Sequence, residues 1–177
     1  MNTLSRHPVL FVGGSGVVGG HAVRALRRLH PGLPIAIGGR DLDKARRLAD
    51  DIGEATAWRI ELDRPDLGLP AHARFSGVVT LLHDHALNAM KYAQAHGLPY
   101  LSFADFVFDL APLVARSVHD PAASPVLLLG QLLGGTATMA TLHFAQAYRR
   151  IDGVEIAVVV DADDAGGPAG QADFARL

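Results

Sequence analysis

The chain contains no cysteine, which excludes a disulfide framework, a thiolate metal site and a cysteine nucleophile. Lysine is nearly as scarce: only Lys44 and Lys91 occur, so arginine supplies most of the basic charge, a pattern of base composition rather than of function. No basic run is present and the formal net charge is -2, so the electrostatic footprint of a nucleic-acid or anionic-membrane partner is missing. No apolar stretch reaches the roughly 18 residues of a membrane span, and the start, MNTLSRHPVLFVGG, has too short an apolar segment for a signal peptide. We read a soluble, cytoplasmic protein.

What is present points to an ordered α/β chain. With 177 residues, 49% of them hydrophobic, there is material for one well-buried core and a little more, since domains run to about 100–200 residues. Short apolar runs alternate with longer amphipathic segments, the pattern of repeated strand-helix units and a parallel sheet. Strands are expected near Val9–Val12, Pro34–Gly38, Thr56–Leu62, Gly77–Leu82, Pro99–Ser102 and Val126–Leu129. Helices are expected near Gly16–Leu29, Leu42–Ile52, Asp84–His96 and Ala104–Val118. The segment DRPDLGLPAHARFS, rich in Pro and Gly, is expected to hold at most one helical turn. Six strands in this arrangement make a doubly wound, Rossmann-type sheet, with three strands on each side of the crevice where their order reverses.

Residues 1–130 complete that sheet. Residues 131–177 then read as a glycine loop, a helix over Thr136–Arg149 and an apolar strand over Val154–Val160, which would open a second α/β domain that the chain leaves incomplete. Met139, Leu142 and Phe144 are expected to be packing residues, and His21 and His143 surface or core histidines. The β-branched run VEIAVVV, lacking neighbouring strands, predicts self-association, most simply as a dimer.

The chemistry begins at VLFVGGSGVVGG. Gly14, Ser15, Gly16, Val17, Val18 and Gly19 form G-x-G-x-x-G directly after an expected strand and at the start of an expected helix. Gly14 permits the tight turn, Gly16 lets a pyrophosphate approach the backbone, and Gly19 lets helix and strand pack closely. The helix N-terminus then offers free N–H groups and a favourable dipole, and the Ser15 hydroxyl adds a donor. A purely structural glycine turn is the alternative.

At the end of the second strand a chain selective for NAD would carry Asp or Glu toward the ribose 2′-hydroxyl. Here Gly39 stands at that position and Arg40 follows, which suits the 2′-phosphate of NADP; NAD is the less favoured cofactor. Arg40 as a solvated loop residue is the competing reading, and Asp41 is expected to cap the next helix in either case. Asp63 is placed either at the adenine edge or in a turn before Pro65. Leu82, through its backbone, and His83 should lie beside the cofactor's ribose and nicotinamide. His83-Asp84-His85 is not read as a metal site, because i and i+2 residues do not share a helix face and no further ligand cluster is visible. Asp84 is expected to be a helix N-cap.

These features resemble the amino-terminal NADP-binding domain of the saccharopine dehydrogenase-like oxidoreductases. The resemblance rests on VLFVGGSGVVGG, on IAIGGRDLDKARRLADDIG and on AMKYAQAHGLPYLSFADF, and it covers about the first 125 residues. It implies a larger second domain carrying the substrate pocket and often the subunit contacts. It also implies cofactor roles for Gly14, Ser15, Gly16, Val17, Gly39, Arg40, Asp63 and His83. The loop after the fourth strand, LHDH, departs from the family's usual small or proline-containing loop. The expected activity is NADP-dependent hydride transfer to or from a small amino-acid, imine or carbonyl substrate, with no catalytic acid or base assigned, to Asp105 included. A non-catalytic module that senses the cofactor or acts through a partner is the alternative.

Overall fold

The computed structural model describes residues 7–103, 107–119, 124–128, 135–157 and 159. The six apolar runs become β1 (Val9–Val12), β2 (Ile35–Gly39), β3 (Ala55–Arg59), β4 (Gly77–Thr80), β5 (Tyr100–Ser102) and β6 (Val126–Leu128). Between and after them lie α1 (Val17–Leu29), α2 (Leu42–Ile52), α3 (Asn88–Ala95), α4 (Val107–His119) and α5 (Thr136–Ala145). Every strand pair is parallel, and the order is β3-β2-β1-β4-β5-β6, the Rossmann-type arrangement. From β1 the chain winds outward through β2 to β3, then returns to lay β4 along the other edge of β1. Connections therefore leave β1 and β4 in opposite directions, and their carboxyl ends flank a crevice.

Alternation along β1 divides the core. Leu10 and Val12 face one cluster with Val78, Met90 and Tyr100, whereas Phe11 faces the other with Val23, Ile37, Ala45 and Leu48. Both faces of the central strands are covered, as a parallel sheet requires. Burying one such side chain contributes about 1.5–3 kcal/mol. The far end of α1 is held by Arg27, whose guanidinium donates to the carbonyls of Pro31 (2.6 Å), Leu33 (2.8 Å), Gly53 (2.9 Å) and Glu54 (2.9 Å). One planar cation thus closes the carbonyl-rich ends of α1 and α2 together.

Several boundaries differ from expectation. β3 stops at Arg59 rather than Leu62, because the Glu61 N–H turns back to the Leu67 carbonyl (3.0 Å). The β3–β4 connection holds turns, and its Leu67 is fully buried at φ +56°, so packing outweighs the cost of a left-handed leucine. α3 begins at Asn88, four residues late: the Leu87 N–H bonds the Asp84 carbonyl (2.9 Å), making a turn first, and Leu87 sits at φ +55°. Asp84 still caps the helix from outside it, accepting from the Ala89 N–H at 2.7 Å. Asp41 caps α2 directly, accepting from the Lys44 N–H at 2.9 Å.

The chain after β6 departs further. α5 ends at Ala145 rather than Arg149, and Met139, Leu142 and Phe144, expected in a core, are 73%, 62% and 69% exposed. Nothing among the described residues covers them. Val154–Val160 was expected to be a strand, yet Val154–Ala157 and Val159 lie in none. A strand is made by ladder hydrogen bonds to a neighbour, and no such pairing appears among the described residues. Val158, Val160 and Asp105 lie outside them.

Candidate functional site

The turn between β1 and α1 is built by four glycines with different duties. Gly13 takes φ +82°, so the left-handed residue of the turn lies one position before the hexapeptide, not at Gly14. A Cβ on Gly14 would stand 2.9 Å from both Phe11 Cβ and the Phe11 carbonyl, so Gly14 is required by packing against the end of β1. Gly19 lies against the backbone of Gly13 and Gly14, where no side chain fits. At Gly16 the nearest obstacle to a Cβ is the Gly13 carbonyl at 3.1 Å, and the residue is exposed.

Gly16 is also the N-cap of α1 and offers no side chain to cap it, while the first turn of α1 carries no acidic residue. The N-terminal amides of this helix, with their positive dipole end, are therefore presented at the crevice. Val17 and Val18 are 51% and 50% exposed on that first turn. Leu82, arriving from the end of β4, brings its Cδ2 to 2.9 Å from where a Cβ on Gly13 would stand. Its side chain thus covers the glycine turn from the far wall.

Between these walls opens a cleft of about 650 Å³. It is lined by Val12 and Gly13 at the end of β1, Gly39 and Arg40 at the end of β2, Arg59 to Arg64 at and beyond the end of β3, and Leu82 and His83 after β4. Gly39, Arg40, Asp63, Leu82 and His83, singled out separately in the sequence, thus share one cavity, whereas Gly14, Ser15, Gly16, Val17, Val18 and Gly19 form the adjoining turn and helix start. Arg40 is exposed at the lip. Gly39 pairs in register with Arg59, which brings a second arginine to the same rim.

That rim is charged. Arg59 Nε lies 3.7 Å from Glu61, and Arg64 reaches Glu61 at 3.6 Å and Asp66 at 2.7 Å. Hydrogen bonding from Arg64, and then from the Gly68 N–H, holds the Asp66 carboxyl down to about 2. The hydrogen bond to Asp66 in turn raises the Arg64 pKa. All these side chains are exposed, so the network shapes the rim without contributing much stability. Arg59, Glu61 and Arg64 were missed in the sequence; strand register and a turn, which a single sequence conceals, bring them together.

His83 is half-buried and its ring lies parallel to that of His85, with centroids 5.9 Å apart and 2° between planes. The expectation that i and i+2 rings would diverge assumed a helix. Here both precede α3, and non-helical backbone lets alternate residues face one way. Among the described residues no group of three or more His, Cys, Asp or Glu could hold a metal ion, and no helix is long and apolar enough to cross a membrane. Asn88, also missed, is buried and donates to the Leu62 carbonyl at 2.8 Å, tying the start of α3 to the cleft wall after β3.

No protein-family model matches the chain, and no curated protein matches it in sequence. Its fold is shared with solved structures. Against saccharopine dehydrogenase (L-Glu forming) from Saccharomyces cerevisiae the TM-score is 0.61 at 18% identity, over 79% of this chain and 31% of that one. The chain therefore spans about a third of the length of that enzyme. Against 3-hydroxyacyl-CoA dehydrogenase type-2 from Mycobacterium avium the TM-score is 0.53 at 16% identity, covering 72% of this chain and 74% of that one. An actinorhodin polyketide ketoreductase with NADPH gives 0.50 at 10% identity, over 82% and 78% of the two chains. At these identities the likeness is one of fold.

Proposed function

We propose that this chain is the cofactor-binding part of an NADP-dependent oxidoreductase of the saccharopine dehydrogenase-like kind, transferring hydride to or from a small amino-acid, imine or carbonyl substrate. The observation that carries the reading is the cleft itself. An uncapped helix N-terminus lies beside it, and Gly39 and Arg40 stand together on its wall where NAD selectivity would call for a carboxylate. Gly14 to Gly19 would hold the pyrophosphate, Gly39, Arg40 and Asp63 the adenosine, and Leu82 and His83 the nicotinamide end. NADP(H) supplies the hydride chemistry; the chain's residues bind and orient it. The solved dehydrogenases and the ketoreductase with NADPH lend support through fold alone.

Calorimetry tests this. NADPH binds about ten-fold or more tightly than NADH, because one charge-assisted contact contributes roughly 1.5–3 kcal/mol, and Arg40→Ala removes most of the difference. Equal affinities in the unaltered protein would overturn the assignment.

The exposed apolar residues of α5 support a second reading alongside, in which residues 131–177 open a further domain and join two copies in a dimer. They equally suit a non-catalytic module that signals cofactor binding through a partner. Light scattering on the chain and on Leu142→Glu separates these: a dimer that the substitution dissociates supports self-association, and a monomer in both cases removes it.

A further inference from the structure

Ser15 and Gly39 meet across the wall between the glycine turn and the end of β2. A Cβ placed on Gly39 would stand 2.9 Å from Ser15 Oγ, and its next neighbour would be the Asp41 carbonyl at 4.0 Å. The serine hydroxyl therefore occupies the ground that any side chain at position 39 would need. Gly39 is not among the positive-φ residues, so what a side chain there would contest is the space held by Ser15, not a backbone conformation. The cavity that opens toward Arg40 and Arg59 thus has the Ser15 hydroxyl standing directly beside Gly39 on its wall.

We propose that Ser15 is a specificity-determining residue whose hydroxyl donates to the ribose 2′-phosphate, and that Gly39 acts by keeping the hydroxyl there. The inference rests on the NADP reading above and changes the destination of Ser15 from the pyrophosphate to the 2′-phosphate. A phosphate dianion accepts hydrogen bonds and donates none, so a hydroxyl beside a guanidinium suits it, and neither repels it. The absence of a carboxylate at position 39 then has two consequences: no negative charge opposes the phosphate, and no side chain displaces its donor.

The prediction is a coupled pair. A Cβ at position 39 meets only the tip of a short side chain that rotates away, so Gly39→Ala folds normally and merely turns the hydroxyl aside. Titration calorimetry of NADPH and NADH against the unaltered chain, Ser15→Ala, Gly39→Ala and the double variant reads the outcome. Each single variant loses about ten-fold in NADPH affinity, the double variant loses no more than either, and NADH affinity is unchanged throughout. Additive losses in the double variant, an unaffected Ser15→Ala, or equal losses toward both cofactors would overturn the proposal while leaving the cofactor reading intact. An unaltered chain that does not prefer NADPH would overturn the reading and the proposal with it. Gly39→Asp adds a second arm: it gains NADH affinity only when combined with Ser15→Gly, and an equal gain with Ser15 in place would refute the shared space.

Discussion

Two helices of this chain begin directly after a glycine, for opposite physical reasons. α1 follows Gly16 and buries Gly19, Gly20 and Val23, with Gly19 set against the backbone of the turn so closely that no Cβ fits. α5 follows Gly135, which adopts φ +85° with nothing among the described residues within 4 Å of a Cβ position, and no residue of α5 is buried among them. At Gly19 the glycine makes room; at Gly135 it supplies a backbone conformation. The first requirement is tertiary and belongs to the crevice, whereas the second is local and would hold in an isolated turn. Glycine clusters that look alike in sequence thus differ in whether another part of the fold leans on them.

The largest test of that contrast is Gly19→Ala against Gly135→Ala in denaturant unfolding. Gly19→Ala forces backbone apart and is expected to cost about 3 kcal/mol, while Gly135→Ala costs about 1–2 kcal/mol of left-handed strain. Equal losses would erase the distinction. Gly16→Val lies between the two cases: its Cβ meets a single backbone atom, the Gly13 carbonyl at 3.1 Å, so unfolding shifts less than in Gly19→Ala while NADPH affinity falls by about a hundred-fold or more, roughly 2.7 kcal/mol. Retained binding would leave the glycines a purely structural task.

Arg27 sharpens the comparison from the other end of α1. Arg27→Ala removes a guanidinium that donates to five carbonyls and is expected to cost about 2 kcal/mol, and Arg27→Lys recovers only part, since one ammonium cannot span both helix ends. A silent Arg27→Ala would mean that water replaces the clasp without loss. In α5, by contrast, Met139→Ser changes unfolding by no more than about 0.5 kcal/mol, as an exposed site implies. A larger change would mean that this surface is covered in solution. The smallest effect is electrostatic. Because its folded pKa is depressed, Asp66 adds stability above its ordinary value of 3.8 that is lost as pH falls through about 2. An NMR titration of its carboxyl should find the midpoint near 2, moving back toward 3.8 in Arg64→Ala.

The sheet was legible because it depends on composition over short runs: six apolar segments, spaced by amphipathic ones, admit few parallel arrangements, and all six strands lie within a few residues of their expected places. The glycine turn was legible as a site but not in its parts, since only the folded turn separates Gly13, which takes the left-handed conformation, from Gly14, where Phe11 leaves no room for a side chain. α3 was misplaced because Asp84, a good cap, was assumed to sit at the helix start, whereas its carboxylate reaches past a turn to Ala89. Arg27, Asn88 and Arg59 gave no signal, since each acts on backbone or rim atoms that only tertiary structure brings near. The packing residues assigned to α5 were read from apolarity alone, which says that a surface seeks cover without saying where the cover comes from.

The hydrogen bond from Asn88 to the Leu62 carbonyl has a bearing on the thermodynamics of ligand encounter. It crosses from one half of the sheet to the other, and Asp84 locks the same helix start from the β4 side. The two walls of the cleft are therefore tied to each other through the start of α3. A dinucleotide entering such a cleft is met by geometry whose ordering cost was met when the chain folded, so more of its contact energy is available as affinity. Its binding should then carry a small entropic penalty, and hydrogen exchange at the Ala89 amide should be as slow without ligand as with it.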